Sequence, residues 1–142
     1  MSILRYTASL DTTIANAYKE NLSTRATGSN MGMSDTLESF SIYGQTSSSI
    51  DGKSTELSRI LIKFDITGSA GISADRASGK IPASGSVNFY LRLFNAAHSY
   101  TIPENYNMIV SAISGSDWQE GYGLDMETYK DSGVVNWISA ST

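Results

Sequence analysis

The densest group of residues able to do chemistry lies in "DWQEGYGLDMETYKD", Asp117 to Asp131. If this stretch is extended, Trp118 and Glu120 fall on one side of it, because side chains alternate along a strand. With Trp137 they make a set that could hold a sugar ring. Indole faces would stack on the ring, and the carboxylate would accept hydrogen bonds from its hydroxyls. The plainer alternative is that Trp118 plugs one end of a β-sandwich, where a buried Trp is a common device, and Glu120 ties down a loop. Glu120, Asp125, Glu127 and Asp131 also offer carboxylate pairs of the kind glycoside hydrolysis uses. Acids gathered in a solvated loop account for them with less.

A second constellation is Asp11, Asn30, Asp35 and Glu38. Calcium takes six to eight oxygens from carboxylates, amides and carbonyls on loops, and these four residues could supply several of them. An Asp-x-Asp-x-Asp-Gly loop is not present, so a structural calcium is the most that is expected, and no other cofactor is. His98 is the only histidine. It sits in "AAHSY", which reads as the end of a strand, and no Gly-x-Ser-x-Gly elbow accompanies it. The Gly-rich run "GSNMGMSD" lacks the Lys and the strand-to-helix setting of a phosphate-binding loop. With no cysteine in the chain, thiolate metal sites, disulfides and cysteine nucleophiles are excluded. These readings point away from an enzyme.

The chain that must position these residues has 142 of them, enough for one domain with one core. Hydrophobic residues make up 40% and charged residues only 17%, so Ser and Thr fill the surface. A net charge of −4 with scattered Lys and Arg argues against a nucleic-acid partner, which needs a basic stripe. No run is long enough to span a membrane, and the N-terminal stretch lacks the apolar core of a signal peptide.

Strand signals dominate. In "SRILIKFDI", Ser58 to Ile66, Ile60, Ile62, Phe64 and Ile66 alternate with Arg59, Leu61, Lys63 and Asp65. Arg59 and Asp65 are roughly 20 Å apart along an extended strand, so each needs another partner. "TLESFSIYG" alternates as well, and "QTSSSIDGKSTE" after it fits a hairpin connection. "SVNFYLRLFNAA", Ser86 to Ala97, predicts a second strong strand whose dry face is Val87, Phe89, Leu91 and Leu93. "NMIVSAIS" and "VVNWISA" complete the strand-like pieces. The segment Thr67 to Gly85 reads as a long connection without a sustained period. One short helix near the N-terminus, Thr12 to Ser23, is weighed against irregular loop, on the spacing of Ile14, Ala17, Tyr18 and Leu22. Strands separated by turn-rich segments, without regular helical crossovers, predict an all-β antiparallel sandwich.

The order of motifs resembles the DNRLRE domain, a β-jelly-roll module. The residues that carry the likeness are Asp11 and Thr12; Leu37 and Glu38; Arg59, Leu61, Phe64 and Asp65; Leu91 and Leu93; and Trp118, Glu120 and Trp137. Runs such as "AYKENLSTRATGSNMGMSD", "IPASGSVNFYLRLFNAAHS" and "WQEGYGLDMETY" are similar, more narrowly, to structural proteins of marine tailed bacteriophages. The resemblance implies a single jelly-roll domain over residues 1–142 that is short of strands at its C-terminal side. It further implies a non-enzymatic virion protein, either a capsid decoration or a tail-associated subunit. Such a protein is made in the host cytoplasm without a signal peptide. Its partners would be other virion proteins and copies of itself, with neither nucleic acid nor membrane. The alternative is a carbohydrate-binding module for host-surface polysaccharide, with Trp118, Glu120 and Trp137 as its site. The expected core is Ile60, Ile62, Phe64, Val87, Phe89, Leu91 and Leu93. The expected contact surfaces are the loops Asn21 to Asp35, Thr67 to Gly85 and Gly115 to Gly133.

Overall fold

A computed structural model describes residues 3–43, 55–82, 85–97, 105, 107–113, 117–128 and 133–140. Its regular structure is mostly strand. Strand β1 spans Ala8–Ala15, β2 Ser41–Tyr43 and β3 Thr55–Phe64, and one short helix, α1, spans Ile72–Ala77. The strands form one antiparallel sheet in the order β1-β3-β2. The run SRILIKFDI therefore supplies most of the central strand. It is rich in Ile, Leu and Phe and free of Gly and Pro, which suits a strand; β1 pairs along it, and β2 pairs with Thr55–Leu57 just before it. The connection from β2 to β3 is a hairpin, and its residues 44–54 lie outside the described ones.

The stretch expected as a helix near the N-terminus, Thr12 to Ser23, instead forms the second half of β1 over its first four residues and irregular structure after them. Thr12, Thr13 and Ile14 are β-branched, lose side-chain freedom in a helix and suit a pleated surface. Facing β3, Thr13 pairs with Ile60 and Ala15 with Ser58. The register shifts between Ala8 and Leu10, a β-bulge that bends the start of the strand. Leu22, expected on the helix face, is half exposed with φ at +50°. The helix that does form, α1, lies within the expected long connection. Gly71 is its N-cap, and none of its residues is buried.

Pairing across the sheet puts Leu10, Thr12 and Ile14 on one face with Arg59, Leu61 and Lys63, and Asp11, Thr13 and Ala15 on the other with Ile60 and Ile62. Both faces of β3 are partly covered. Ile60, Ile62 and Phe64 are half-buried, and Leu61 and Lys63 on the face expected to be wet are half-buried too. Ile66 is exposed. The deepest apolar residues are Ile14, Ala15, Ala17, Ala26, Met31, Val134 and Val135, with Ile81 near α1. The core thus sits around β1 and the segments that pack on it.

The second expected strand does not form. Residues 87–97 carry no strand or helix, and Phe89, Leu91 and Leu93 are exposed, with Val87 half-buried. The segment 107–113 likewise runs outside the sheet with its residues exposed. A β-pattern becomes a strand only when a neighbour accepts its backbone hydrogen bonds. No described residue pairs with the backbone of either segment.

Candidate functional site

The polar loop Asn21 to Asp35, expected to reach outward, folds inward over residues 26–31. Ala26, Ser29, Asn30 and Met31 are buried. They are zipped to the segments around Trp118, Glu120 and Trp137 by bonds spanning much of the chain. Ser29 Oγ donates to the Met126 carbonyl at 2.9 Å, and the Gly123 N–H donates to Asn30 Oδ1 at 3.1 Å. The Met33 N–H reaches the Gly123 carbonyl, and the Trp137 N–H reaches the Thr27 carbonyl. Lys19 Nζ donates to the carbonyl of Glu127. Such close zipping needs small residues. A Cβ at Gly123 would stand 1.9 Å from the Asn30 carbonyl oxygen, and one at Gly32 2.0 Å from that of Glu120.

Glu120 and Trp118 do not share a site. Gly121 adopts φ of +77°, a left-handed conformation that turns the chain just after Glu120. Glu120 lines a hollow with Leu10, Gln119, Tyr122 and Val134. Its Oε2 accepts the Asp11 N–H at 3.1 Å and so caps the free edge of β1. Its carboxylate ties a loop. Trp118 lies on the sheet face of Ile14, Arg59 and Leu61, where it shares a cleft of about 320 Å³ with Val135, Trp137 and Ile138. The Arg59 guanidinium carbon stands 4.1 Å from the centre of the Trp137 ring, a cation–π contact. Two of the three expected sugar-binding residues are therefore brought together, and Arg59 joins them in place of Glu120. Sequence spacing gave no sign of Arg59, because its partner Trp137 is remote along the chain.

Lys63 pairs with Asp117, and that contact holds the Asp117 carboxyl below the usual carboxylate range. Asp125 is also lowered, chiefly by the Thr128 N–H. It closes a local turn by accepting the N–H groups of Glu127 and Thr128, and a Glu127 carboxylate oxygen accepts the Glu20 N–H. Asp125 and Glu127 are thus engaged in holding loops. Asp131 and His98 lie outside the described residues. Asp65 accepts the Gly68 N–H at 2.7 Å and shapes the turn after β3.

The four expected calcium ligands are not gathered. Asp11 is on β1, Asn30 is buried against Gly123, and Asp35 and Glu38 are exposed. Among the described residues, no three His, Cys, Asp or Glu side chains come together to hold a metal ion. Among the described residues the most buried carboxylate is Glu56, with 1% of its surface exposed, and sequence reasoning gives no sign of it. Its Oε1 accepts the Tyr18 N–H at 2.7 Å, and its Oε2 is unpartnered among the described residues. Nothing in "STELSRI" distinguishes this Glu from a surface one.

Comparison with protein-family models, with curated proteins and with solved structures finds no match for this chain. No helix among the described residues is long and apolar enough to cross a membrane.

Proposed function

We propose that the chain is a non-enzymatic structural subunit of a tailed-phage virion, a capsid decoration or tail-associated protein of jelly-roll type. The observation that carries this reading is the amount of apolar side chain left uncovered. Tyr90 is 85% exposed, Phe94 80% and Ile109 92%. Large apolar side chains left exposed together along one segment, as Phe89, Tyr90, Leu91, Leu93 and Phe94 are, mark an interaction site. A subunit whose work is mechanical needs such surfaces more than it needs a reactive centre. The likeness of its motifs to phage structural proteins supplies the setting. Mass spectrometry of purified particles tests it. A copy number near that of the major capsid protein identifies a decoration, and a single ring's worth identifies a tail subunit. Absence from the particles overturns the proposal.

One observation favours a second reading, a module that binds host-surface polysaccharide. Trp118, Trp137 and Arg59 line one cleft whose volume is near the lower end for ligand sites, about 300–1,000 Å³, so it would take a single sugar ring. Loss of binding in a polysaccharide pull-down by Trp118→Ala, with the fold intact by circular dichroism, supports this reading. Retention of host glycan by that variant at wild-type strength defeats it.

A further inference from the structure

Segments 86–97 and 107–113 combine three properties. Each alternates or clusters apolar residues as a strand does. Neither gives its backbone to any described neighbour. Phe89, Tyr90, Leu91, Phe94, Ile109 and Val110 all stand exposed. A segment with a strand's pattern and open N–H and C=O groups can form a strand by pairing with another such segment.

We propose that these segments are the contact with a second copy of this chain, and that 86–97 pairs antiparallel with its own counterpart about a two-fold axis. The proposal names the partner for the surface invoked above and so rests on the assembly reading.

Area, charge and register favour a copy over an unrelated partner. Aromatic side chains bury about 150–250 Å² each, so Phe89, Tyr90 and Phe94 offer up to roughly 450–750 Å² per copy, to which the exposed Leu, Ile and Val side chains of the two segments add. A stable complex needs about 800 Å² per partner. Arg92 is the only charged residue in either segment, so two copies meet without a field of like charge, and an acidic or basic partner finds almost nothing to read. Centring the pair on Leu91 sets Leu91 opposite itself and Phe89 opposite Leu93, on one face. On the other face Tyr90 falls opposite Arg92, which keeps the two guanidinium groups from direct opposition and offers each an aromatic ring. An isologous contact requires this kind of self-complementarity.

The chain contains no cysteine, so a single introduced thiol reports the register cleanly. Directly opposed residues have Cβ atoms about 4.5–5.5 Å apart, close to what a disulfide spans. Leu91→Cys is expected to oxidise to a covalent dimer, whereas Ser73→Cys, on exposed α1, is not. Light scattering on the full chain is expected to find a dimer. Leu91→Lys is expected to give a folded monomer that melts like wild type diluted until it dissociates, below the dimer and independent of concentration. Three results would each overturn the proposal. One is a wild-type monomer at every concentration. Another is a monomeric Leu91→Lys that melts below the dissociated wild type, which would mean the segment packs within its own chain. The third is equal cross-linking of the two cysteine variants. A wild-type monomer that is still abundant in particles sinks the self-pairing and leaves the assembly role standing.

Discussion

The Glu120 carboxylate accepts the backbone N–H of Asp11 across 109 positions of sequence, and by doing so it closes the outer edge of β1. A residue of the expected sugar site is thereby engaged in structure. Replacing it by Ala leaves the strand-edge donor without its partner in a half-buried place, a loss of about 1–3 kcal/mol. Glu120→Gln keeps an acceptor oxygen and is expected to cost less than about 1 kcal/mol. Urea denaturation of the two variants checks the order. Equal stability of Glu120→Ala and wild type would show that water replaces the carboxylate without loss.

The zipper between residues 29–33 and 120–126 depends on glycines that admit no side chain. A Cβ at Gly32 or Gly123 would overlap backbone oxygens, which cannot swing aside as the end of a flexible side chain can. Gly32→Ala and Gly123→Ala are each expected to destabilise by about 1–3 kcal/mol or more. At Gly28 nothing lies within 4 Å of the added carbon. Gly28→Ala is expected to be neutral or slightly stabilising, because it narrows the unfolded ensemble. Melting temperatures of the three variants make the comparison, and a Gly123→Ala that melts like Gly28→Ala would contradict the packing described.

Asp75 on α1 accepts hydrogen bonds from Lys80 at 2.8 Å and from the Tyr6 hydroxyl at 2.7 Å. Lys80 first, then Tyr6, holds the Asp75 carboxyl below its ordinary value of 3.8. A carboxyl with a lowered folded pKa favours the native state above the ordinary value, and that contribution is lost as pH falls through the lowered one. Tyr6 runs the other way. Burial first, and then Asp75, raises its phenol above 10.0, so its contribution is present below pH 10 and lost as pH climbs through the raised value. Urea midpoints measured against pH are expected to decline at both extremes. Asp75→Asn is expected to flatten both declines, and an unaltered profile in that variant would show that the cluster is not coupled to folding.

How far the fold could be read from sequence differs from strand to strand. In β3 an uninterrupted apolar alternation was legible as a strand and forms one, paired with β1 along Ser58–Phe64, but both of its faces are half-buried and Ile66 is exposed. In β1 the same pattern was masked. Ile14, Ala17, Tyr18 and Leu22 happen to fit a helical period, and only the β-branched Thr12-Thr13-Ile14 run pointed to a strand. Residues 86–97 show the converse. Their alternation is as clean as that of β3, yet a period says nothing about whether a neighbour is present to pair with. Of the candidate site, Trp118 and Trp137 were legible as the chain's two tryptophans, one in a polar loop and one in the strand-like VVNWISA. Arg59, Asn30 and Glu56 were not, since a charged or amide side chain looks the same in sequence whether it stacks, zips a loop or faces water.

The bonds that close the core join the first third of the chain to residues 117–140. A ribosome adds about 5–20 residues per second, so Asp11 waits roughly 5–20 s before Glu120 has even been made. During that interval β1 and β3 can pair, but the edge of β1 and the inner side of the 26–31 loop stay open. Contacts this distant along a chain also form slowly once both ends exist. Nascent copies emerging side by side on one message therefore carry matching open strands at the same moment, and the rate at which residues 117–140 dock sets how long each copy remains vulnerable to its neighbours.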